Sequence, residues 1–303
     1  MKRILVLRGG ALGDFIVTLP ALRFLRNHWS LAQIELVGNA LAAVLGKIAG
    51  VLDLAHSQAE ARWSQLYGSA PLAPDFQSWL DDFDLVVSFW PDPDGSLRRH
   101  FSHRGATFIA SDAANITTRP AAAHFCAALQ SLGLATETDY SFRLSFGEAT
   151  HAETVRRLAG LKNFVAVHPG SGSPRKNWPQ SRWTELVNRL QRPLLVITGE
   201  TEQNLSGWPT NKPVVHAHCW PLPSLGAALA KSALFIGHDS GISHLAAAAG
   251  ARCLLLFGPT DPAVWAPPGA NVIKRGENLD AISVDDVLAA VAATPSPATA
   301  DQW

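Results

Sequence analysis

An acidic residue, Asp14, follows the first apolar run of the chain in the segment RGGALGDF. Gly10 and Gly13 lie in the same segment, where a backbone has to turn tightly or approach a ligand closely. A carboxylate at this position can take a proton from a substrate hydroxyl and act as a general base. It can equally be the N-cap of the helix that follows and accept backbone N–H bonds. The segment alone leaves both interpretations open.

A second segment, HPGSGSPRKNWP, is rich in small and hydroxyl residues and suits a phosphate group. Ser171, Gly172 and Ser173 can offer backbone N–H and hydroxyl donors. Lys176 supplies a positive charge that can act on a diphosphate. The alternative is a flexible surface loop with ordinary basic residues.

A third segment, GHDSGISHLAAAAG, joins an apolar run to a run of small residues. A helix that begins at Ser240 and Gly241 would direct free N–H groups at an anion. Asp239 would then either accept a sugar hydroxyl or cap the helix. His244 falls on the first turn, where a satisfied core histidine is the commoner role. The spacing of His238, Asp239 and His244 is a weak pattern for a metal, and no metal site is expected.

Two other enzyme classes are disfavoured by these segments. The first loop lacks the GxGxxG pattern, and the second strand ends in Gly38 and Asn39 without the acidic residue that holds a dinucleotide ribose, which argues against a nicotinamide enzyme. Ser240 is not centred in a G-x-S-x-G segment, which argues against a serine hydrolase. The strand LLVITG does run into Glu200 and Glu202, and either carboxylate can accept the two hydroxyls of a ribose.

Runs of Val, Ile and Leu that end in Gly, Asn, Asp or His alternate with helical patterns along the chain. This alternation predicts an α/β protein with parallel sheets and crossover helices. Ligands bind beyond the carboxyl ends of the strands in such sheets, which is where the three segments lie. The predicted strands lie near residues 4–8, 33–37, 84–89, 107–110, 164–168, 194–198, 214–217, 234–237, 253–257 and 272–274.

The length of 303 residues suits two domains with separate cores. We predict a first domain at 1–148, a second at 149–294 and a loose tail at 295–303, with a helix at 149–159 between the two domains. The stretch 57–77 is predicted to be irregular.

The charges balance, with Lys+Arg 25 against Asp+Glu 25, so no whole-molecule field draws the protein to nucleic acid. No run reaches the roughly 18 apolar residues that a membrane span needs, and the first apolar run is too short for a signal sequence. The cysteines, three in number, are expected to be buried thiols in a reducing compartment. We therefore expect a cytoplasmic protein without a nucleic-acid partner.

The segments GALGDFIVTLPAL, HPGSGSPRKNWPQSRW and GHDSGISHLAAAAG, followed by FGPTDP, occur in this order over nearly the whole chain. Together they resemble the heptosyltransferase family of bacterial glycosyltransferases. The resemblance implies the GT-B fold, in which two Rossmann-like domains face each other across a cleft, the first binding the acceptor and the second the nucleotide sugar. It also implies an inverting transfer, without a metal or other cofactor, of heptose from ADP-heptose to the inner core of lipopolysaccharide.

The resemblance also implies roles for individual residues. Asp14 matches the catalytic aspartate of the family's GD motif, and Lys176 matches the lysine that contacts the donor. Glu202 is our choice for the ribose-binding glutamate, with Glu200 as its rival. The donor-binding motif D-[ST]-G-x-x-H is matched by Asp239, Ser240, Gly241 and His244.

The acceptor side departs from expectation, because a phosphorylated and acidic lipopolysaccharide core calls for a basic face and the chain is neutral overall. We expect a glycan or lipid-linked saccharide acceptor and a peripheral contact with the inner membrane, and a protein or a soluble glycan stays open as the acceptor. Three tryptophans in the first half, Trp63, Trp79 and Trp90, can stack on a sugar, although core packing suits at least one of them. The local basic residues are Arg98, Arg99, His100, His103 and Arg104, with Arg62.

Two further functions stay open at this stage. A sugar-nucleotide epimerase of the same fold would bind a nucleotide sugar without needing an acceptor site. A non-catalytic nucleotide-sugar-binding protein would use Asp14 only as a helix cap.

Overall fold

The computed structural model describes residues 2–101, 105–111, 113–114, 116, 119–134, 139–200, 208–209 and 211–294. The chain divides into two compact units between Phe142 and Arg143. Each unit contains a parallel β-sheet with helices between its strands, so the predicted α/β class is confirmed.

The first unit is built on a parallel sheet with the strand order β3-β2-β1-β4-β5. Its strands are β1 (Arg3–Arg8), β2 (Gln33–Gly38), β3 (Leu54–Ser57), β4 (Leu85–Ser88) and β5 (Thr107–Ala110). Its helices are α1 (Leu12–Ile16), α2 (Leu19–His28), α3 (Ala40–Ile48), α4 (Pro74–Asp81) and α5 (Ala121–Ala127), with short 3₁₀ helices at Ala61–Tyr67, Arg98–Phe101 and Ala128–Leu132.

The second unit contains a parallel sheet with the order β11-β10-β9-β6-β7-β8. Its strands are β6 (Val165–Val167), β7 (Leu194–Thr198), β8 (Val214–His218), β9 (Leu234–His238), β10 (Cys253–Phe257) and β11 (Asn271–Lys274). Its helices are α6 (Glu148–Leu158), α7 (Gln180–Arg189), α8 (Leu222–Ala230), α9 (Gly241–Ala248), α10 (Pro262–Trp265) and α11 (Val284–Ala293), with 3₁₀ helices at Pro174–Lys176 and Leu279–Ala281.

The strand order explains why the chemically interesting loops come together within each unit. In the first sheet the order reverses between β1 and β4, and in the second sheet it reverses between β6 and β9. A crevice opens at such a reversal beyond the carboxyl ends of the strands, because the crossover helices leave to opposite sides. Asp14 follows β1, while Lys176 and Asp239 follow β6 and β9.

The first sheet differs from the predicted one at an edge strand. β3 was not predicted, because LAHS lacks an apolar alternation and its residues are half-buried or exposed at the edge of the sheet. The prediction that residues 57–77 are irregular is wrong in part. A 3₁₀ helix at Ala61–Tyr67 buries Trp63 and Leu66, and α4 begins at Pro74, where a proline is tolerated in the first turn.

The segment before α6 packs on the second unit. The backbone N–H of Leu144 donates to the carbonyl of Ala248 at 2.8 Å. The ring of Phe146 covers Gly226 of α8 so closely that a Cβ there would lie 2.5 Å from a ring carbon. The division at Phe142 therefore falls a few residues before the boundary predicted at 148, and the predicted tail at 295–303 lies outside the described residues.

The cysteines follow the prediction at two of three positions. Cys126 and Cys253 are buried, whereas Cys219 is exposed, so the prediction of a buried thiol there is wrong. Cys219 follows β8, which is an edge strand whose residues are mostly accessible. Among the described residues, no helix is long and apolar enough to span a membrane.

Candidate active site

The carboxylate of Asp14 lies at the carboxyl edge of the first sheet, in the first turn of α1. Ala11 is the N-cap of this helix, so Asp14 is not the N-cap residue; it is the third helical residue. Its Oδ2 accepts the backbone N–H of Ala11 at 2.8 Å, so the carboxylate still satisfies a free donor at the helix start. About one third of the side chain is exposed, at 33%. The carboxylate is thus fixed to the helix and accessible to a ligand.

A buried arginine, Arg8, holds the other oxygen of this carboxylate. Its guanidinium donates to Asp14 Oδ1 at 2.9 Å, to the hydroxyl of Thr18 at 3.1 Å and to the carbonyl of Gly9 at 2.9 Å. Burial lowers the pKa of the Arg8 guanidinium, and the neighbouring Asp14 opposes that shift. The guanidinium thereby fixes the orientation of the Asp14 carboxylate from the side opposite the Ala11 N–H.

Arg8 was not predicted from the sequence as a residue of the site. The available signal was its position, because a charged residue ends an otherwise apolar central strand, RILVLR. A buried charge needs a partner, and the nearest acidic residue along the chain is Asp14.

The glycine loop between β1 and α1 brings the backbone against the Asp14 carboxylate. Gly10 has φ +106°, and a Cβ on it would lie 2.6 Å from Asp14 Oδ2, so a larger residue would collide with the carboxylate. The side-chain amide of Gln58 pairs with the backbone of Gly10, accepting its N–H at 3.0 Å and donating to its carbonyl at 3.3 Å. Gly13 lies inside α1, where its carbonyl accepts the N–H of Val17.

The three tryptophans considered for the acceptor, Trp63, Trp79 and Trp90, differ in burial, and the half-buried Trp79 and Trp90 both pack against the core cluster that contains Trp63. Trp63 is buried in the core with Phe76, as expected for at least one of the three. Trp79 packs on the same cluster. Trp90 follows β4 and is half-buried, and its indole nitrogen lies 3.3 Å from the point where a Cβ on Gly9 would stand. Trp90 is therefore the tryptophan that borders the loop leading to Asp14.

The basic residues predicted for the acceptor after β4, Arg98 and Arg99, contact neighbouring residues of the same unit. The Arg98 guanidinium lies over the ring of Phe108 at 5.1 Å, and its backbone N–H donates to Asp92. The Arg99 guanidinium donates to the carbonyl of Gly68. Both arginines are exposed. His103 and Arg104, which we grouped with these two arginines, lie outside the described residues.

In the second unit, an ion pair joins the two loops at the reversal of strand order. Lys176 Nζ lies 3.1 Å from Asp239 Oδ2, and only 10% of the Asp239 side chain is exposed. The sequence predicted separate roles for these two residues, Lys176 at a diphosphate and Asp239 at a sugar hydroxyl or as a helix cap, and the structure brings them together as an ion pair. Asp239 therefore holds the ammonium of Lys176 at the end of β9.

The helix start after β9 is capped by Ser240, so the interpretation of Asp239 as the N-cap is wrong. The Ser240 hydroxyl accepts the N–H of Ser243, and its backbone is extended. Ser240 also contacts the ring of His168 at 3.3 Å, and burial lowers the pKa of His168 to about 4. Gly241 is the first residue of α9. His244 is buried on the first turn of α9.

The loop between β6 and α7 carries the predicted phosphate donors. The Ser171 hydroxyl lies 2.7 Å from the carbonyl of Ser173 and 2.6 Å from the side-chain oxygen of Asn177, so it stabilises the loop itself. Gly172 is exposed, and a Cβ on it would meet open space. The loop therefore has a defined shape with its tip accessible.

The structure describes one of the two glutamates that the sequence predicts for a ribose. Glu200 follows β7 and is exposed, and Glu202 lies outside the described residues. Within the described part of the chain, no group of three or more His, Cys, Asp and Glu side chains is arranged to hold a metal ion.

Comparison with known proteins gives a family and a fold. The family model described as glycosyltransferase family 9 (heptosyltransferase) matches residues 113–283, more than half of the 303 residues. Lipopolysaccharide heptosyltransferase 3 of Escherichia coli is 28% identical over 144 residues, which cover 43% of this chain and 42% of the relative. The matched stretch is therefore less than half of that curated relative.

The chain is similar to solved structures over nearly its whole length. The glycosyl transferase family 9 protein of Veillonella parvula DSM 2008 superposes with a TM-score of 0.78 at 19% identity, covering 96% of both chains. The E. coli ADP-heptose lps heptosyltransferase II gives a TM-score of 0.75 at 18% identity, covering 97% of this chain and 98% of the other. These likenesses confirm the predicted GT-B fold.

Proposed function

This chain belongs to glycosyltransferase family 9, the heptosyltransferase family, and from that membership we propose that it is an inverting glycosyltransferase. The proposed donor is ADP-heptose, and the proposed acceptor is a hydroxyl of the lipopolysaccharide core or of a related glycan or lipid-linked saccharide. The reaction as proposed uses no metal ion. A cytoplasmic location with peripheral contact at the inner membrane belongs to the same proposal.

The observation that carries the proposal is the held and accessible carboxylate of Asp14. Inverting transfer in a single displacement needs a base on the attacking hydroxyl and positive charge at the departing diphosphate. Asp14 fits the base, because Arg8 and the Ala11 N–H fix the orientation of its carboxylate while a third of its side chain is exposed. Lys176, held by Asp239, fits the charge at the diphosphate.

We assign the donor to the second unit. The start of α9 at Ser240 and Gly241 directs backbone N–H groups away from the helix, and an anion is stabilised at such a helix start. The exposed tip of the 171–173 loop and the ammonium of Lys176 lie at the same reversal of strand order. Glu202, or its rival Glu200, is proposed to bind the ribose.

The experiment that tests this function measures release of ADP from ADP-heptose with and without a saccharide acceptor, here de-acylated lipopolysaccharide core. Release that depends on the acceptor is the result expected of a transferase. An epimerase would convert the donor without acceptor, and a binding protein would bind ADP-heptose and leave it intact. Binding to UDP sugars alone, in a thermal-shift panel of nucleotide sugars, would overturn the ADP-heptose assignment.

Replacing Arg8 by lysine is expected to lower kcat about tenfold or more. A lysine ammonium is a single point charge and cannot reproduce the fork that donates to Asp14, Thr18 and Gly9 at once. Initial rates at saturating donor and acceptor measure the change, and calorimetric binding of ADP is expected to stay within twofold of the wild type because Arg8 acts on the base alone. A kcat equal to that of the wild type would show that Arg8 does not orient Asp14.

Replacing Trp90 by alanine is expected to raise the KM for the acceptor and leave the KM for the donor unchanged. The half-buried indole borders the Gly9 loop, where the flat apolar ring of a tryptophan can stack on a sugar. Pairs of aromatic rings contribute roughly 0.5–1.5 kcal/mol, and a loss of that size in acceptor binding corresponds to an increase in KM of about 2- to 12-fold.

The control for Trp90 is Trp29→Ala. Trp29 is also half-buried, and it follows α2 just before β2. It therefore lies at the amino ends of the strands, whereas Asp14 and Trp90 lie at their carboxyl ends. We expect the Trp29 variant to keep both KM values. Equal changes in the acceptor KM for the two variants would remove Trp90 from the acceptor site.

A further inference from the structure

A buried histidine, His238, contacts both ends of the loop that carries Lys176. His238 is the last residue of β9, is fully buried and directly precedes Asp239. Its Nε2 lies 2.9 Å from the backbone N–H of Trp178, and its Nδ1 lies 3.3 Å from the carbonyl of Gly170. The ring therefore bridges Gly170 and Trp178, and the exposed tip of the loop lies between these two residues.

The two contacts require one tautomer of the ring. A backbone N–H can only donate, so Nε2 must accept and carries no proton. Nδ1 then carries the proton and donates to the carbonyl of Gly170, which can only accept. Burial lowers the pKa of His238 to about 3, so the neutral ring persists throughout the physiological range of pH. A protonated ring would lose the bond from Trp178.

The far end of the loop is also fixed by the Trp178 side chain. Its ring is buried, and its indole N–H donates to the carbonyl of Ile282 at 3.0 Å. Between the two contacts of His238, Lys176 is bound by Asp239, the next residue along the chain. The end of β9 thus holds the loop at its beginning, at Lys176 and at its end.

We propose that His238 is a positioning residue, which fixes the loop at 170–178 in the shape that receives the diphosphate of the nucleotide sugar. The inference rests on the proposed function, in which this loop and Lys176 bind the donor. His238 does not touch the donor in this account. It acts through the backbone of Gly170 and Trp178, and its loss would let Lys176 and the tip of the loop sample other positions.

The test compares His238→Leu with His238→Gln in the full-length protein. Leucine removes both ring contacts, whereas the glutamine amide keeps an acceptor for the Trp178 N–H and a donor for the Gly170 carbonyl. We expect leucine to weaken ADP binding by about tenfold or more, because a buried donor and a buried carbonyl lose their partner. We expect glutamine to restore ADP binding to within about threefold of the wild type. Calorimetry with ADP gives the dissociation constants.

The control for a loss of stability alone is Val187→Ala. Val187 is fully buried on α7 in the core cluster of the same unit, and its side chain is apolar. Its truncation is expected to lower Tm and to leave the dissociation constant for ADP within twofold. Wild-type ADP binding in His238→Leu, or an equal loss of binding in Val187→Ala, would overturn the inference.

Hydrogen exchange at the Trp178 amide separates this inference from the proposed function. We expect the Trp178 N–H to lose protection in His238→Leu and to keep it in Val187→Ala. If the wild type binds no ADP, the proposed donor is wrong, and the exchange rate alone decides whether His238 holds the loop. Unchanged protection in His238→Leu would refute the positioning role even if donor transfer is established.

Discussion

Asp14→Asn is expected to lower kcat by about 10²- to 10⁴-fold, the usual contribution of a general base. The asparagine amide keeps the size of the side chain, and its oxygen can still accept the Ala11 N–H, so α1 keeps its first turn. The variant loses the negative charge that can accept a proton from the acceptor hydroxyl. Initial rates at saturating substrates measure kcat, and calorimetry is expected to give ADP binding within twofold of the wild type.

The matched control for this variant is Asp75→Asn. Asp75 lies in the first turn of α4, so both substitutions remove an acidic side chain from the start of a helix in the same unit. Since Asp75 is exposed and is not part of the proposed site, its variant should keep the wild-type kcat. Normal turnover in Asp14→Asn would leave Asp14 as a helix-start residue without a catalytic role.

The second large effect is expected for Lys176→Met, which should lower kcat/KM for the donor by about 10²- to 10³-fold. Removal of one preorganised charge at a developing anion commonly costs this much. Methionine preserves most of the apolar length of lysine and leaves the Asp239 carboxylate, which is 10% exposed, without the cation that neutralises it. A bare carboxylate beside the diphosphate would add repulsion to the lost attraction.

The neighbouring variant Arg175→Met tests whether this effect is specific. Arg175 is exposed and adjacent in the same 3₁₀ turn, so its removal changes the net charge of the loop equally. Because charges in water are screened, we expect kcat/KM for the Arg175 variant to stay within about twofold of the wild type. Comparable losses in the two variants would assign the effect to the general charge of the loop.

The strands that are buried on both faces of a sheet could be predicted from the sequence. β1 and β10 read as continuous apolar runs because helices cover both sides of a central parallel strand, and both were predicted. β3 was missed because an edge strand with accessible side chains has no such pattern. The burial of Cys219 was wrongly predicted for a related reason. Cys219 follows β8, and the sequence does not show that β8 is an edge strand.

The site was predictable in its residue types and less so in its pairings. Asp14, Lys176 and Asp239 could each be singled out from a loop after a strand, but the Lys176–Asp239 pair joins residues 63 positions apart through the adjacency of β6 and β9. The capping role of Ser240 instead of Asp239 depended on where α9 begins, and helix starts are uncertain by one or two residues in sequence. Arg8 was overlooked and His238 was weighed only as part of a metal pattern, because the contacts of each are revealed only by the folded chain.

The most direct test of the account is the product of one turnover with ADP-heptose and de-acylated lipopolysaccharide core, analysed by mass spectrometry and NMR. We predict that one heptose is added to the acceptor, that one ADP is released per sugar transferred, and that the new glycosidic bond has the anomeric configuration opposite to that of the donor. Retained configuration, or the same release of ADP in the absence of any acceptor, would contradict single displacement with Asp14 as the base.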